Sequence, residues 1–576
     1  MLLKVGELAK KSGLTVRALH HYDAIGLLTP SARADNGYRL YNRDDIARLH
    51  RIQALRGFGL TLADIGAYLT QPDKPLSDII ARQIAMLDVE IGPFFHIAVS
   101  GDKELTMDQH DASESTEPGQ HIPFITHGSY PRRGGNRVWP LVDSGPAFRR
   151  ICEAVELAQH SVWVTVTFVA TDFQMPDGRG SIFDVLDRAV ERGLDVRVIF
   201  WRPNPESSGY GQTFAGTSTD FDLLAARGSR FLARWDRAPL AYCHHQKSWL
   251  VDAGRSSETA FVGGINPTFA AVEPGHMGEG QRHDIYVEIT GPSASDVHHN
   301  FVQRWNEASE RNMALGVWAH GSDERLPFPT DLSEARGNTV VQIQRNVHAG
   351  CYSDPHAAPG CAPYQIDIAS GERSITGQYL LAINAARRSI YLENQALPVP
   401  EIAYALEEAL KRGVHVVLLV PGEPEEYVSL WRQRPERKPF FDRLEVLGQY
   451  EHFVLTGIAG KTRSGDRAYV YVHAKIMLVD DVWATIGSCN LHANSLFGHS
   501  EMNAAVWDRD VVRALRCQLL LEHLGQDTEH LDDQWAMQLY QRIARENAAR
   551  WEVGDVDWQG LACSLNPATY GESKAR

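Results

Sequence analysis

Cysteine is sparse and late in this chain: seven occur in 576 residues, at 152, 243, 351, 361, 489, 517 and 563. None lies in the first 151 residues and no two form a Cys-x-x-Cys pair, which excludes a zinc ribbon and leaves the amino terminus without a thiolate metal sensor. Scattered thiols fit a reducing compartment, and Cys351 and Cys361, although close in sequence, are expected to stay free. Long apolar runs are also missing. No segment approaches about 18 uninterrupted apolar residues, so none is expected to cross a membrane. The start, MLLKVGELAKKSG, turns polar too soon for a secretory signal. A soluble cytoplasmic protein is expected. With 576 residues, 43% of them hydrophobic and 9% aromatic, the chain exceeds one core and can fill several.

Charge is unevenly spread. Residues 1–56 hold ten Lys and Arg against five acids, about +5, while the whole chain is −15. A basic patch on an otherwise acidic protein points to DNA at that end. Residues 101–121, GDKELTMDQHDASESTEPGQH, are polar and acidic without periodicity, which predicts a flexible linker.

The chemistry is carried by a motif that occurs twice. His245-Gln246-Lys247 with Asp252 and His473-Ala474-Lys475 with Asp480 both read His-x-Lys-x-x-x-x-Asp, and each is followed by a glycine turn and an asparagine, Gly263-Gly264-Ile265-Asn266 and Gly487-Ser488-Cys489-Asn490. His473 follows His245 by 228 residues, and the apolar strand starting at Ser389 follows the one starting at Ser161 by the same 228. Helix-to-strand steps at Arg192-Gly193 and Arg412-Gly413 complete the match, so each half reads helix, strand, helix, strand, motif strand. That alternation predicts mixed sheets flanked by helices. One histidine can attack a phosphodiester to give a phosphohistidine while the other protonates the departing alkoxide and later activates water or an alcohol. Lysines and asparagines stabilise charge on the phosphoryl oxygens, and a carboxylate behind each imidazole would fix its tautomer. The chemistry requires no metal. Gln246 and Ala474 are expected to point away from the cleft because strand side chains alternate. His276, His283 and His298-His299-Asn300 concentrate imidazoles, but their spacing offers no closed ligand set, and no metal or cofactor is expected. WRQRPERK, 431–438, reads as a solvated face or, less simply, an anion-binding one.

Over 137–530 these residues resemble the phospholipase D superfamily, whose signature is the duplicated motif on a pseudo-twofold pair of α/β domains. HHQK (244–247), AFVGGIN (260–266), RHDIYVEITGP (282–292) and NFVQRWN (300–306) look like the first half of its lipid-cleaving branch. IYLENQ (390–395), YVHAKIMLVDD (471–481), IGSCN (486–490) and EHLG (522–525) look like the second half. The resemblance implies His245 as nucleophile and His473 as general acid, supported by Lys247, Asp252, Asn266, Lys475, Asp480, Ser488 and Asn490. It also implies Asp284 and Glu501 as acids that orient the histidines; Asn394 and Gln395 either line the cleft or end a strand.

The amino terminus reads as short helices. GELAKKSGLTVRALHHY has two helical patterns joined through Ser12-Gly13, which is helix-turn-helix spacing, and Gly37-Tyr38-Arg39 suits a wing. This segment resembles the MerR regulators over 1–92, which implies DNA contacts by Arg17, His21 and Tyr22 on or beside a recognition helix and by Arg39 and Tyr41 from the wing. PLSDIIARQIAMLDVEI carries an apolar face at Ile79, Ile80, Ile84, Leu87 and Ile91 and resembles a shortened dimerisation helix; a homodimer is expected.

The expected organisation is multidomain: an all-α winged helix-turn-helix domain (1–74), a dimerisation helix (75–95), a linker (96–136), two phospholipase D-like α/β halves (137–330 and 331–530) and a carboxyl-terminal extension (531–576). The expected function is phospholipid hydrolysis or transphosphatidylation with a DNA-binding module, and peripheral membrane contact. The alternatives are a DNA-directed nuclease with the same chemistry, or a transcription regulator whose hydrolase-like part senses ligand.

Overall fold

The computed structural model describes residues 122–572 apart from 127, 205–212, 240–241, 269–271, 279, 310–323 and 362–367, together with 3–6, 8, 19, 22–23, 26–33, 39–42, 45, 48–49 and 52. The chain divides into two units, Met1–Ser113 and Glu114–Arg576. In the first, the wing is a hairpin of Ala32–Arg33 against Arg39–Tyr41, and Leu3–Lys4 adds a third antiparallel strand. Leu3, Leu8, Leu19, Tyr22, Leu27, Leu28, Tyr41, Leu49 and Ile52 form its core. The expected dimerisation helix, 75–95, lies outside the described residues.

In the second unit the duplication in the sequence becomes a duplication of strand order. The first half runs Leu232–Asp236, Asp195–Trp201, Ser161–Val166, Ser248–Val251, Thr259–Gly263, Ile285–Thr290, Arg133–Val142. The second runs Phe453–Lys461, His415–Leu419, Ser389–Asn394, Lys475–Val479, Trp483–Gly487, Glu501–Trp507, Thr339–Val347. In each, the first three strands are parallel and the rest antiparallel. Thr339 pairs with Asn136 and Val341 with Arg133, which joins the halves into one mixed sheet of 17 strands. SVWVTV and SIYLEN are buried at every position, as parallel strands covered on both faces must be.

The crossover helices are punctuated alike. Ser181 and Asp184 form a capping box at the start of Ile182–Glu191, and Pro400 opens Pro400–Lys411. Both helices end at an arginine followed by a left-handed glycine, Gly193 (φ 84°) and Gly413 (φ 86°), which turns the chain into the next strand. Each half holds one helix-strand step more than the sequence pattern suggests: Ser218–Arg227 leads to Leu232–Asp236, and Lys438–Gly448 to Phe453–Lys461. The first of these helices buries only Leu224, so it carries almost no apolar stripe to read.

Two expected boundaries move. The linker over 96–136 gives way to packed chain from 122. Ile122 and Phe124 are buried in the second half's core, the Ile125 amide donates to Gln378 Oε1 at 2.8 Å, and a strand begins at Arg133. Burying two such side chains stabilises by about 3–6 kcal/mol, enough to draw an irregular segment onto the domain. Nor does the 531–576 range stand apart: helix Asp533–Glu552 covers the sheet and Ala562–Ser564 pairs with Phe453–Lys461.

Val262, Ile285 and Val287 share one core with Ile476, Ile486 and Ala504. The two sheets therefore close on each other, and the motif ends of their strands face the same seam.

Candidate active site

Each motif is pinned by the other half. The amide of His245 donates to Ser500 O at 2.8 Å, and His244 bridges Ser500 as a parallel pair. Reciprocally, Tyr471–Val472 runs parallel to Arg282–His283, and the amide of His473 donates to His283 O at 2.8 Å. In both places the next residue of the pinning segment is the acid behind the ring. His245 Nδ1 lies 2.9 Å from Glu501 Oε2, and His473 Nδ1 lies 2.5 Å from Asp284 Oδ2. The first half thus supplies the carboxylate for the second half's histidine, and the second half for the first. Neither half supplies both the motif histidine and the acid behind it.

The partners determine the tautomer of His245. Its Nδ1 is also 3.1 Å from Ser488 O, a carbonyl that can only accept, so Nδ1 carries the hydrogen and Nε2 the lone pair. Ser488 Oγ donates to Glu501 Oε2 at 2.6 Å and accepts from the Met502 amide at 3.0 Å, so this side chain orients Glu501. The two lysines are placed alike: Lys247 Nζ donates to His245 O at 2.6 Å, and Lys475 Nζ donates to His473 O and, at 3.1 Å, to Gln395 Oε1.

Burial dominates the electrostatics. It lowers Lys247 to about 8 and Lys475 to about 7. It raises Asp284 to about 6 against the opposing pull of Lys475. Burial and then the lysines push both His245 and His473 well below the ordinary imidazole value. Without substrate this is a desolvated site with an excess of positive potential, in which a phosphate monoanion would restore protonation of the lysines and one histidine. The free protein should therefore show a bell-shaped dependence of kcat/KM on pH. Activity falls below about 6 as Asp284 gains its proton, and falls again through about 7 to 8 as Lys475 and Lys247 lose theirs. Initial rates across pH 4–10 on one phosphodiester check both limbs.

The structure corrects the expectation for Asp252 and Asp480. Neither backs an imidazole; each lies at the far end of its motif strand, on the order of 20 Å along extended chain from its histidine. Asp252 Oδ1 accepts the amides of Gln159, His160 and Ser161, at 3.0, 2.7 and 3.2 Å. Asp480 accepts those of Arg387, Arg388 and Ser389, at 2.9, 2.8 and 2.9 Å. Both sit at positive φ, 55° and 53°, where a short polar side chain is tolerated. They tie the ends of the two strands displaced by 228 residues. Asp480→Ala should destabilise the fold by about 2 kcal/mol or more, because it removes the acceptor of three amides, that of Ser389 buried, and strains the backbone. Chemical denaturation measures the loss, and kcat per folded molecule should stay within a few-fold of wild type.

Asn266 lines the cleft before His473 together with Arg282, Asp284, Thr268 and Ile265. Asn490 is buried, and its Oδ1 has no hydrogen-bond partner among the described residues. Gln246 and Ala474 face away from the cleft: Gln246 Nε2 donates to Glu501 O at 3.1 Å, and Ala474 lies in the shared core. Asn394 Oδ1 accepts the amides of Ala396 and Leu491, at 3.0 and 3.1 Å, so it shapes the cleft wall from behind. In 431–438 Arg437 stacks on Trp431 and Lys438 pairs with Asp442, so much of that charge is spent on local packing.

Sequence reasoning missed His499 and His492. The His499 ring lies 6.1 Å from that of His245 and 5.8 Å from that of His492. Burial lowers His499 to about 3 and His492 to about 4, so both stay neutral. The only local signal was the two histidines within LHANSLFGHS and the upstream HH. Gly264 is a second omission: a Cβ there would stand 2.3 Å from Asp284 Oδ1. Gly264→Ala should displace that carboxylate and lower kcat about 10- to 100-fold with little change in melting temperature, read from steady-state rates and a thermal melt.

In the amino-terminal unit, Tyr22 and Tyr41 are 2% and 0% exposed and belong to its core, which corrects their expected role against DNA. Aromatic side chains in so small a domain are needed to fill it. Arg39 Nε donates to Asp23 Oδ2 at 2.6 Å and remains partly exposed. Arg17 and His21 lie outside the described residues.

Two α/β halves that share crossed His-acid pairs and two buried lysines define a class of site suited to phosphodiester transfer. Family comparisons agree: residues 274–398 match the phospholipase D family, 379–520 the cardiolipin synthase, phospholipase D-like domain, and 3–71 the MerR helix-turn-helix regulatory proteins. Phospholipase D alpha 2 of Oryza sativa subsp. japonica is 22% identical over an alignment covering 87% of this chain and 81% of that protein. Phospholipase D alpha 1 of Brassica oleracea var. capitata is 22% identical over 75% of this chain and 70% of its own. Among solved structures, phosphatidylserine synthase of Haemophilus influenzae Rd KW20 aligns with 73% of this chain and 95% of its own at 13% identity and a TM-score of 0.44. The chain therefore carries phospholipase D-like domains over residues 274–520, of a phosphodiesterase-type enzyme superfamily, and a MerR helix-turn-helix domain at its amino terminus.

Proposed function

We propose that the protein is a phospholipase D that hydrolyses phospholipids, or transfers their phosphatidyl group to alcohols, through a phosphohistidine. The observation that carries this reading is the crossed arrangement of His245 on Glu501 and His473 on Asp284. Lys247, Lys475, Asn266 and Asn490 hold the phosphoryl oxygens. His245 Nε2 attacks phosphorus, the P–O bond to the head group breaks, and the head-group oxygen takes the proton of His473, leaving phosphatidyl-His245. His473, now neutral, removes a proton from water or an alcohol as its oxygen attacks phosphorus; the P–N bond breaks and phosphatidate or its ester leaves. Glu501 and Asp284 stabilise the imidazolium on each side. Ser488 positions Glu501.

The choice of phospholipid over DNA follows the similar proteins, which are phospholipases D. The amino-terminal unit binds DNA as a regulatory layer in this reading, with Arg17, His21 and Arg39 toward phosphate or bases. Wild type and His473→Ala are incubated with phosphatidylcholine vesicles and, separately, with single- and double-stranded DNA. Phosphatidate from wild type and none from the variant is the expected result. Variant-sensitive DNA cutting without lipid turnover would replace this reading with a nuclease.

A further inference from the structure

Behind Asp284 the two halves bury a second group of imidazoles and carboxylates that the reaction above does not use. Asp143 Oδ2 and Glu522 Oε1 approach the same nitrogen, His276 Nε2, at 3.3 and 3.1 Å. His283 Nδ1 lies 2.9 Å from Asp143 Oδ1. One ligand atom from each of these four residues lies within 4.8 Å of all the others. The side chains of Asp143, His276 and His283 are 0% exposed and that of Glu522 is 8% exposed.

His283 Nδ1 and Asp143 Oδ1 are hydrogen-bonded, but the two close approaches to His276 Nε2 are not hydrogen bonds. Asp143 Oδ2 and both ring nitrogens of His276 are buried without a hydrogen-bond partner. Among the described residues no lysine or arginine forms an ion pair with Asp143 or Glu522, so two buried carboxylates lack a permanent cation. Donors around one ion at about 2.0–2.2 Å stand about 3.0–3.5 Å apart, and the approaches of Asp143 and Glu522 to His276 Nε2, at 3.3 and 3.1 Å, fall in that range. The outer partners suit the same role: His283 Nε2 is 2.9 Å from Glu393 Oε2, and Glu393 Oε1 accepts Tyr391 OH at 2.6 Å. A carboxylate behind a ligating histidine fixes its tautomer and strengthens it as a donor.

The segment that brings His276 inward is built for close approach. His276 has φ 44°, and a Cβ on Gly460 would stand 2.0 Å from His276 O. The amides of Gly278 and Gly275 donate to Lys461 O at 2.9 Å and to Glu522 Oε1 at 2.7 Å. This set escaped the sequence because Asp143 and Glu522 are remote from the two histidines they join.

We propose that Asp143, His276, His283 and Glu522 form a binding site for one divalent transition-metal ion of the zinc class. Two imidazoles and two carboxylates in a small tetrahedral-sized space favour zinc over calcium or magnesium, which take more ligands and nearly all from oxygen. The ion clamps the two halves behind the reacting histidine. His283 is adjacent to Asp284, and the Asp143 amide donates to Asp284 O at 2.8 Å, so the site holds the segment that orients His473.

The full-length protein is stripped with chelator, loaded with zinc or cobalt, desalted and assayed by elemental mass spectrometry and visible absorption. Wild type should retain about one equivalent and, with cobalt, show the intense visible bands of a four-coordinate site. His276→Gln and the milder rim change Glu522→Gln should bind at least about 10-fold more weakly, while His160→Gln, at an exposed position, binds as wild type. Near-UV circular dichroism identifies any variant that fails to fold, and Glu522→Gln then carries the comparison. Wild type that takes up no zinc or cobalt, or folded variants that bind as tightly as wild type, would overturn the proposal and leave protonated His276 and His283 as the only balance for the acids.

Discussion

Replacing His245 or His473 with alanine should lower turnover of a natural phospholipid by on the order of 10⁴-fold or more, with thermal stability near that of wild type. The two rings are not spare parts of one function. Loss of His245 removes the nucleophile for the first step; loss of His473 removes the proton for the leaving alkoxide and the base for the second step. His245 is buried and His473 half-buried, but the rings contribute little to the core, since each reaches the cleft through an Nε2 to which the described residues offer no hydrogen bond. The two variants should diverge on a substrate whose leaving group needs no proton. With phosphatidyl-p-nitrophenol, His473→Ala should release a burst of nitrophenolate and then stall, whereas His245→Ala should give no burst. Stopped-flow absorbance distinguishes the two.

The next largest effect is expected from the crossed acids. Glu501→Gln and Asp284→Asn keep shape and hydrogen-bonding capacity but remove the charge that stabilises each imidazolium, and the new amide can stabilise the wrong tautomer. Losses of about 10²- to 10⁴-fold in kcat follow, as for a triad in which the orienting carboxylate becomes an amide. Because the pairs cross, a change in one half should impair the step carried by the histidine of the other. Asp284→Asn should leave the p-nitrophenol burst largely intact and slow its decay, and should remove the acid limb near pH 6. Glu501→Gln should slow the burst itself. If each acid instead affected the histidine of its own half, the crossing would be wrong.

Much of this site was legible because duplication leaves a measurable displacement. The 228-residue offset locates both His-Lys pairs and the Ser161 and Ser389 strands, and the structure keeps them in equivalent places. What local pattern cannot show is which residue stands behind which ring. Asp284 and His473 are 189 positions apart, and Glu501 and His245 are 256 apart, so only the closure of two sheets brings them together. The motif aspartates misled for a related reason. Asp252 and Asp480 recur at a fixed distance from the histidines, but along a strand that distance leads away from them to a left-handed turn. Tyr22 and Tyr41 show the same limit in the amino-terminal unit, where an aromatic that could meet DNA is instead needed by the core.

The most direct measurement of the central claim is the identity of the phosphorylated side chain. His473→Ala is mixed with phosphatidyl-p-nitrophenol, quenched within the burst, digested at alkaline pH and sequenced by mass spectrometry. A phosphatidyl adduct on His245, acid-labile and absent from His245→Ala, is the expected result. An adduct on another residue, or nitrophenolate release with no adduct on the protein, would contradict it.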